Sequence, residues 1–160
     1  MKQCKHLSLV GIIAILLLGI SLPAFSVTAS NKAVFVDEAK FGIMYKGADD
    51  KWQFKETDRI PNKVGTPYRW YIHLRTDKNK VTWKEEFILP APAVVWGGEE
   101  KKEFQVSSDR KVSIKEMTVS PKDGWISHGW SVAEGDPSGK YVMKIYVEGQ
   151  FVKEFVFFVE

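Results

Sequence analysis

The feature that most constrains this chain is period-two alternation of apolar and polar residues. From 68 to 75 the side chains alternate at every step: Tyr68, Trp70, Ile72 and Leu74 fall on one face, and Arg69, Tyr71, His73 and Arg75 on the other. Val81, Trp83, Glu85 and Phe87 alternate in the same way against Thr82, Lys84, Glu86 and Ile88. Successive strand residues point to opposite faces, so each segment predicts a strand with one buried and one wet side. Shorter strand candidates are residues 33–36, 40–45, 52–54, 94–96, 111–120, 125–132, 141–147 and 151–159. Glycine, proline and Asp/Asn clusters fall between them: 47–50, 60–67, 77–80 and 121–124. Pro90-Ala91-Pro92 holds the chain extended and predicts a change of sheet or a crossover. The sum is an all-β, antiparallel fold of seven to nine strands, a sandwich or a barrel, with no helix after the first 26 residues.

Those first 26 residues read as a signal peptide, predicted as a helix. Lys2, Lys5 and His6 make a basic start, residues 7–20 are almost wholly apolar, and Pro23 precedes the small-x-small pattern Ala24-Phe25-Ser26. A second cut at Val27-Thr28-Ala29 and retention as a membrane anchor are the alternatives, since residues 7–25 approach the length of a span. The organisation expected is therefore a leader, 1–26, and one β-domain, 27–160. Removing Lys2 and Lys5 takes the basic residues from 23 to 21 against 20 acidic ones, leaving a net charge of about +1. That balance supplies no nucleic-acid footprint. Cys4, the one cysteine, precedes the apolar stretch, so the exported part is expected to hold no thiol and no disulfide.

The end of the chain predicts a hairpin. Tyr141, Met143, Ile145 and Val147 share a face, and a three-residue loop at Glu148-Gly149-Gln150 sets Val147 against Phe151, Met143 against Phe155 and Tyr141 against Phe157. That register opposes Lys144 to Glu154, a favourable cross-strand pair; a two-residue loop would oppose Lys144 to Lys153. The last strand is apolar on both faces near its end, which suits a central position; as an edge it would invite strand addition. In 111–120, Val112 and Ile114 are expected inward, with a bulge before Met117 and Val119.

Residues Asp136-Pro137-Ser138-Gly139-Lys140-Tyr141-Val142-Met143 resemble the Asp-x-Gly-x-Tyr-x-Cys signature of immunoglobulin-type sandwiches, with one extra residue between Asp and Gly and Met143 where the family has cysteine. The chain looks like the disulfide-free immunoglobulin-like modules of small exported bacterial proteins. The resemblance implies an immunoglobulin-like β-sandwich, location in the periplasm or outside the cell, and a structural corner of Asp136, Gly139 and Tyr141, with the Tyr141 hydroxyl bonded back to upstream backbone. It transfers no catalytic residue.

The residues present limit the chemistry. His73 and His128 are the two histidines after the leader, each expected on the surface or across a strand pair. A Ser-His-Asp set drawn from Ser127 or Ser138, His128 and Asp136 has no nucleophile elbow. Glu85-Glu86 and Glu99-Glu100 are sequence neighbours, which a strand turns to opposite faces. No metal-binding spacing and no phosphate-binding glycine loop occurs, so no cofactor is expected. Trp70 and Trp83 read as core. Trp96, Trp125 and Trp130 are candidate ligand-binding residues; Trp125 and Trp130 have opposite parity, so a regular strand exposes one of them. The reading is a non-catalytic binding or accessory module with a protein partner in the cell envelope, and with a membrane only if the leader is retained. The alternatives are a carbohydrate-binding module stacking sugars on those three tryptophans and, third, an envelope hydrolase.

Overall fold

The computed structural model describes residues 34–101 and 103–160. The leader expected over 1–26, and the junction after it, lie outside the described residues. Ten strands follow one another: β1 (Phe35–Lys46), β2 (Trp52–Glu56), β3 (Arg59–Ile60), β4 (Pro67–Arg75), β5 (Val81–Ile88), β6 (Gln105–Val106), β7 (Val112–Val119), β8 (Trp125–Ser131), β9 (Gly139–Val147) and β10 (Gln150–Val159). They form two sheets, β2-β1-β4-β8 and β3-β10-β9-β5-β7-β6. Two of the ten strands, β3 and β6, are only two residues long, which carries the count above seven to nine. The β3–β10 contact is parallel; the other pairings are antiparallel. Among the described residues the helical content is one 3-10 turn, Glu99–Lys101, and no helix is long and apolar enough to cross a membrane.

Parity builds the core. Tyr68, Trp70, Ile72 and Leu74 of β4 face Val81, Trp83 and Phe87 of β5, Tyr141, Met143, Ile145 and Val147 of β9, and Phe155, Phe157 and Val159 of β10, all buried. Each such side chain contributes about 1.5–3 kcal/mol through burial, and the rings interlock: Trp70 meets Trp83 edge-on at 5.4 Å, and Phe41 stacks on Phe157 at 4.4 Å.

Four expectations need correction. First, of the two expectations for Pro90-Ala91-Pro92 only the crossover holds: β5, β6 and β7 share the six-stranded sheet, and the connection from β5 passes β7 to reach β6. The nearest change of sheet before it falls at 76–80, between β4 and β5, and the proline segment opens a loop whose Leu89, Ala93, Trp96 and Phe104 join the core. Second, β7 is regular against β5 along its whole length, with no bulge. Trp83 opposes Met117, Glu85 opposes Lys115 and Phe87 opposes Ser113, so β7 sends Ser113 and Lys115 inward while Ile114 is exposed.

Third, the last hairpin turns at two residues, Glu148 and Gly149, with φ of 51° and 77°. Two positive φ values define the turn whose twist matches paired strands, and glycine supplies one without steric cost. Val147 then opposes Gln150, not Phe151; an extra residue at Val152 bulges out and resets the register. Lys144 therefore still meets Glu154, Met143 meets Phe155 and Tyr141 meets Phe157. Fourth, β10 is central only at its apolar end, where β3 pairs with Phe158 and Val159; upstream, its outer side is a sheet edge. The Val152 bulge and the charged Lys153 and Glu154 sit on that edge, features that discourage pairing with another chain.

Candidate functional site

Two places are candidates for a functional site. The first is inside it. Glu85 lies on the inward phase of β5 and is wholly buried. Its two oxygens accept hydrogen bonds from the indole N–H groups of Trp70 on β4 (2.5 Å) and Trp130 on β8 (2.7 Å). One carboxylate thus ties the six-stranded sheet to two strands of the other, in a chain whose single cysteine allows no disulfide within it. Burial pushes the Glu85 carboxyl up to about 7, against the opposing pull of the two indole donors and of Lys115. Lys115, itself inward, reaches past Phe104 to Glu103 at 3.2 Å.

His128 completes this cluster. It pairs with Trp70 across the β4–β8 register and packs against Trp83 and Trp130. Of the two expected places, the surface or across a strand pair, it takes the second, mostly buried with its ring facing inward. Burial drives it down to about 3, helped by the charges of Lys115 and Arg69. Its Nδ1 lies 3.8 Å from Glu85 and has no hydrogen-bond partner; with the imidazole uncharged at pH 7, the contact is not a salt bridge. The cue for this cluster is the carboxylate on the apolar phase of β5; without the register, nothing says it meets two tryptophans.

The second place is the outer face and free edge of the four-stranded sheet. Phe54, Tyr71 and Trp125 stand there edge to face, at 81° and 84°, and Lys40 lies over Trp125 at 5.4 Å. With Lys122 and Ser127 they line a groove of about 480 Å³. A second groove of about 730 Å³ runs along β8, between Arg69, Gly129, Trp130 and Ser131 on one side and Gly97, Gly98, Lys101 and Glu103 on the other.

The three candidate tryptophans separate. Trp96 is 4% exposed and packs on Phe87, Phe104 and Trp130, with its N–H on the Arg110 carbonyl. Trp130 points inward to Glu85, with one side in the β8 groove. Trp125 faces outward beside His73. They share no face, so they form no common sugar platform; Trp96, just before the Gly97-Gly98 turn, is part of the core. The hydrolase set does not assemble either. Ser127 faces outward and accepts from Arg69 (3.0 Å), His128 faces inward, Ser138 accepts from Asn62, and Asp136 accepts from the Ala133 N–H.

The corner is present. Tyr141 is buried at the start of β9 and donates its hydroxyl to the Pro137 carbonyl at 2.6 Å, while Asp136 fastens the preceding turn through Ala133 at 2.8 Å. Gly139 lies under Pro90, where a side chain would press on the ring. Burial raises both the Tyr141 hydroxyl and the Asp136 carboxyl.

Two packed sheets, a tyrosine corner and no helix longer than one turn among the described residues define an immunoglobulin-like β-sandwich. A solved immunoglobulin-like protein from Pseudomonas aeruginosa is similar to it at a TM-score of 0.54 and 14% identity, over 82% of this chain and 99% of that one. Residues 39–160 match the PM0630 beta sandwich domain, and the chain belongs to that family. Two further structures share less. The alkylpurine DNA glycosylase AlkC of Pseudomonas fluorescens, bound to DNA containing an abasic site analog, gives a TM-score of 0.39 at 12% identity, over 77% of this chain and 30% of that one. The soluble domain of PmoD from Methylocystis gives 0.35 at 17%, over 79% and 96%. At these scores neither bears on what this chain does. No curated protein matches it.

Proposed function

We propose that this protein is an exported, non-catalytic binding module of the bacterial envelope whose partner is a protein, bound along the free edge of β8. The observation that carries the reading is the character of that edge. Protein sheets guard their edges with charge, proline, bulges or shortness. Here β3 and β6 are two residues long, β10 carries a bulge beside Lys153, β2 is five residues that follow Lys51 and include Lys55, and the open part of β7 holds Lys115 and Glu116. β8, Trp125-Ile126-Ser127-His128-Gly129-Trp130-Ser131, has no bulge, no proline and no charged residue, because burial keeps His128 neutral. A strand-shaped edge beside an aromatic-lined groove suits recognition of an extended segment by backbone pairing. The leader-like start supports export.

The test is site-specific photo-crosslinking in the host, with the reactive group at Ser131 and, as a control, at Thr118 on β7. Capture of one defined protein from Ser131 alone, abolished by Ser127→Lys, is the expected result. Equal capture from both positions, or capture that Ser127→Lys leaves intact, removes the β8 reading.

A further inference from the structure

We infer that the segment β8 receives is an extended peptide stretch carrying acidic side chains; this rests on the reading of β8 as the docking edge. The backbone geometry comes first. The Leu74 N–H donates to the Gly124 carbonyl (2.8 Å) and the Val132 N–H to the Thr66 carbonyl (3.0 Å), at the two ends of the β4–β8 pairing. The register between them is unbroken, so the even-numbered residues of β8 spend their backbone groups on β4. Ser127, Gly129 and Ser131 then turn their N–H and C=O groups away from β4, toward the free edge. Gly129 adds no side chain there: a Cβ would lie 2.9 Å from the Tyr68 carbonyl oxygen and 3.1 Å from the Arg69 guanidinium.

The charge around the groove gives the partner its sign. Arg69 reaches the groove from β4, where it donates to the Ser127 hydroxyl and lies over the Tyr71 ring, neither an anion. Lys101 lines the opposite wall and has no carboxylate partner among the described side chains. The one carboxylate in the lining, Glu103, is already held by Lys115 at 3.2 Å. Among the described residues, the groove therefore presents two uncompensated cations and no uncompensated anion. A strand added to β8 places alternate side chains on the Arg69 side, where a carboxylate meets a guanidinium shaped to bind it. The outer-face rings near this edge, Phe54, Tyr71 and Trp125, meet at 81° and 84°, walls that take separate side chains better than the flat face of a sugar.

The experiment is 15N NMR on the protein in the form its host exports. Three probes are titrated: a capped octapeptide alternating Glu and Thr, its Lys and Thr counterpart, and an oligogalacturonate as a polyanion that is not a peptide. The inference expects the Glu peptide to shift the amides of Ser127, Gly129 and Ser131 and slow their exchange. Lys101→Glu, on an exposed side chain, should weaken it about tenfold, and Lys101→Glu with Arg69→Glu should admit the Lys peptide. Binding of the Lys peptide to the unaltered protein at equal or greater strength overturns the acidic assignment and leaves the β8 edge standing. Binding of the oligogalacturonate with no effect from either peptide overturns the peptide assignment. No shift at β8 from any probe, or amides already protected in a dimer joined at β8, overturns the docking edge itself.

Discussion

Replacing His128 should change how stability depends on pH. In an unfolded chain Glu85 titrates near 4.5 and His128 near 6.5; in the fold they move to about 7 and about 3. The raised Glu85 contributes stability that is full below 4.5 and lost as pH rises through about 7. The lowered His128 contributes stability that is full above 6.5 and lost as pH falls through about 3. Between 4.5 and 6.5 the unfolded chain holds one proton, on His128, and the folded chain holds one, on Glu85. The two states bind equal numbers of protons, so the slope from this pair is close to zero. Below 4.5 the unfolded chain takes a second proton and stability falls. His128→Phe removes the base and keeps a ring against Trp83 and Trp130. The folded state then holds one proton more than the unfolded from 4.5 to 7, and stability should fall across that range by about 3 kcal/mol, at 1.36 kcal/mol per pH unit. Glu85→Gln should invert the slope, with stability rising by about 5 kcal/mol from pH 3 to 6.5. Urea denaturation followed by tryptophan fluorescence at half-unit pH steps measures all three profiles. A flat profile for His128→Phe between 4.5 and 7 would refute the shared-proton account.

Three further outcomes are expected. Tyr141→Phe should cost about 1 kcal/mol by loss of the bond to Pro137, leaving its carbonyl unmatched; unchanged urea stability would mean that the hydroxyl finds equal satisfaction elsewhere. Trp96→Ala should cost about 3–5 kcal/mol as a core truncation, whereas Trp125→Ala, on the outer face, should cost far less, and equal losses in thermal melts would contradict their placement. Gly149→Val should cost at least about 1 kcal/mol, because a β-branched residue is strained at φ of 77°, and a melt that matches the parent would show that the turn relaxes.

Most of the sandwich is legible in the chain because strand parity is local. Tyr68 to Leu74, Val81 to Phe87 and Tyr141 to Val147 announce their inner faces through alternation alone, and the corner is written in Asp136, Gly139 and Tyr141. Trp125 and Trp130 had to part company for the same reason. The hairpin shows where local reading stops: the Lys144–Glu154 pair was recoverable from charge, but a two-residue turn plus a bulge gives the same pairing as a three-residue loop, and only the backbone distinguishes them.

Tertiary pairing decided the rest. β7 alone suggests Val112 and Ile114 inside; its register against β5 turns them out and brings Lys115 opposite Glu85. His128 is mostly buried because β8 joins β4 with Trp70 beside it, and Glu85 became an inter-sheet tie because two indoles from the other sheet reach it. Which strands are edges depends on sheet order, which is set by contacts between residues far apart in sequence: β10 proved an edge with its defences in place, and β8 an edge without them. Periodicity assigns each side chain a face within its own strand, but burial, titration and availability for pairing depend on what the neighbouring strand presents.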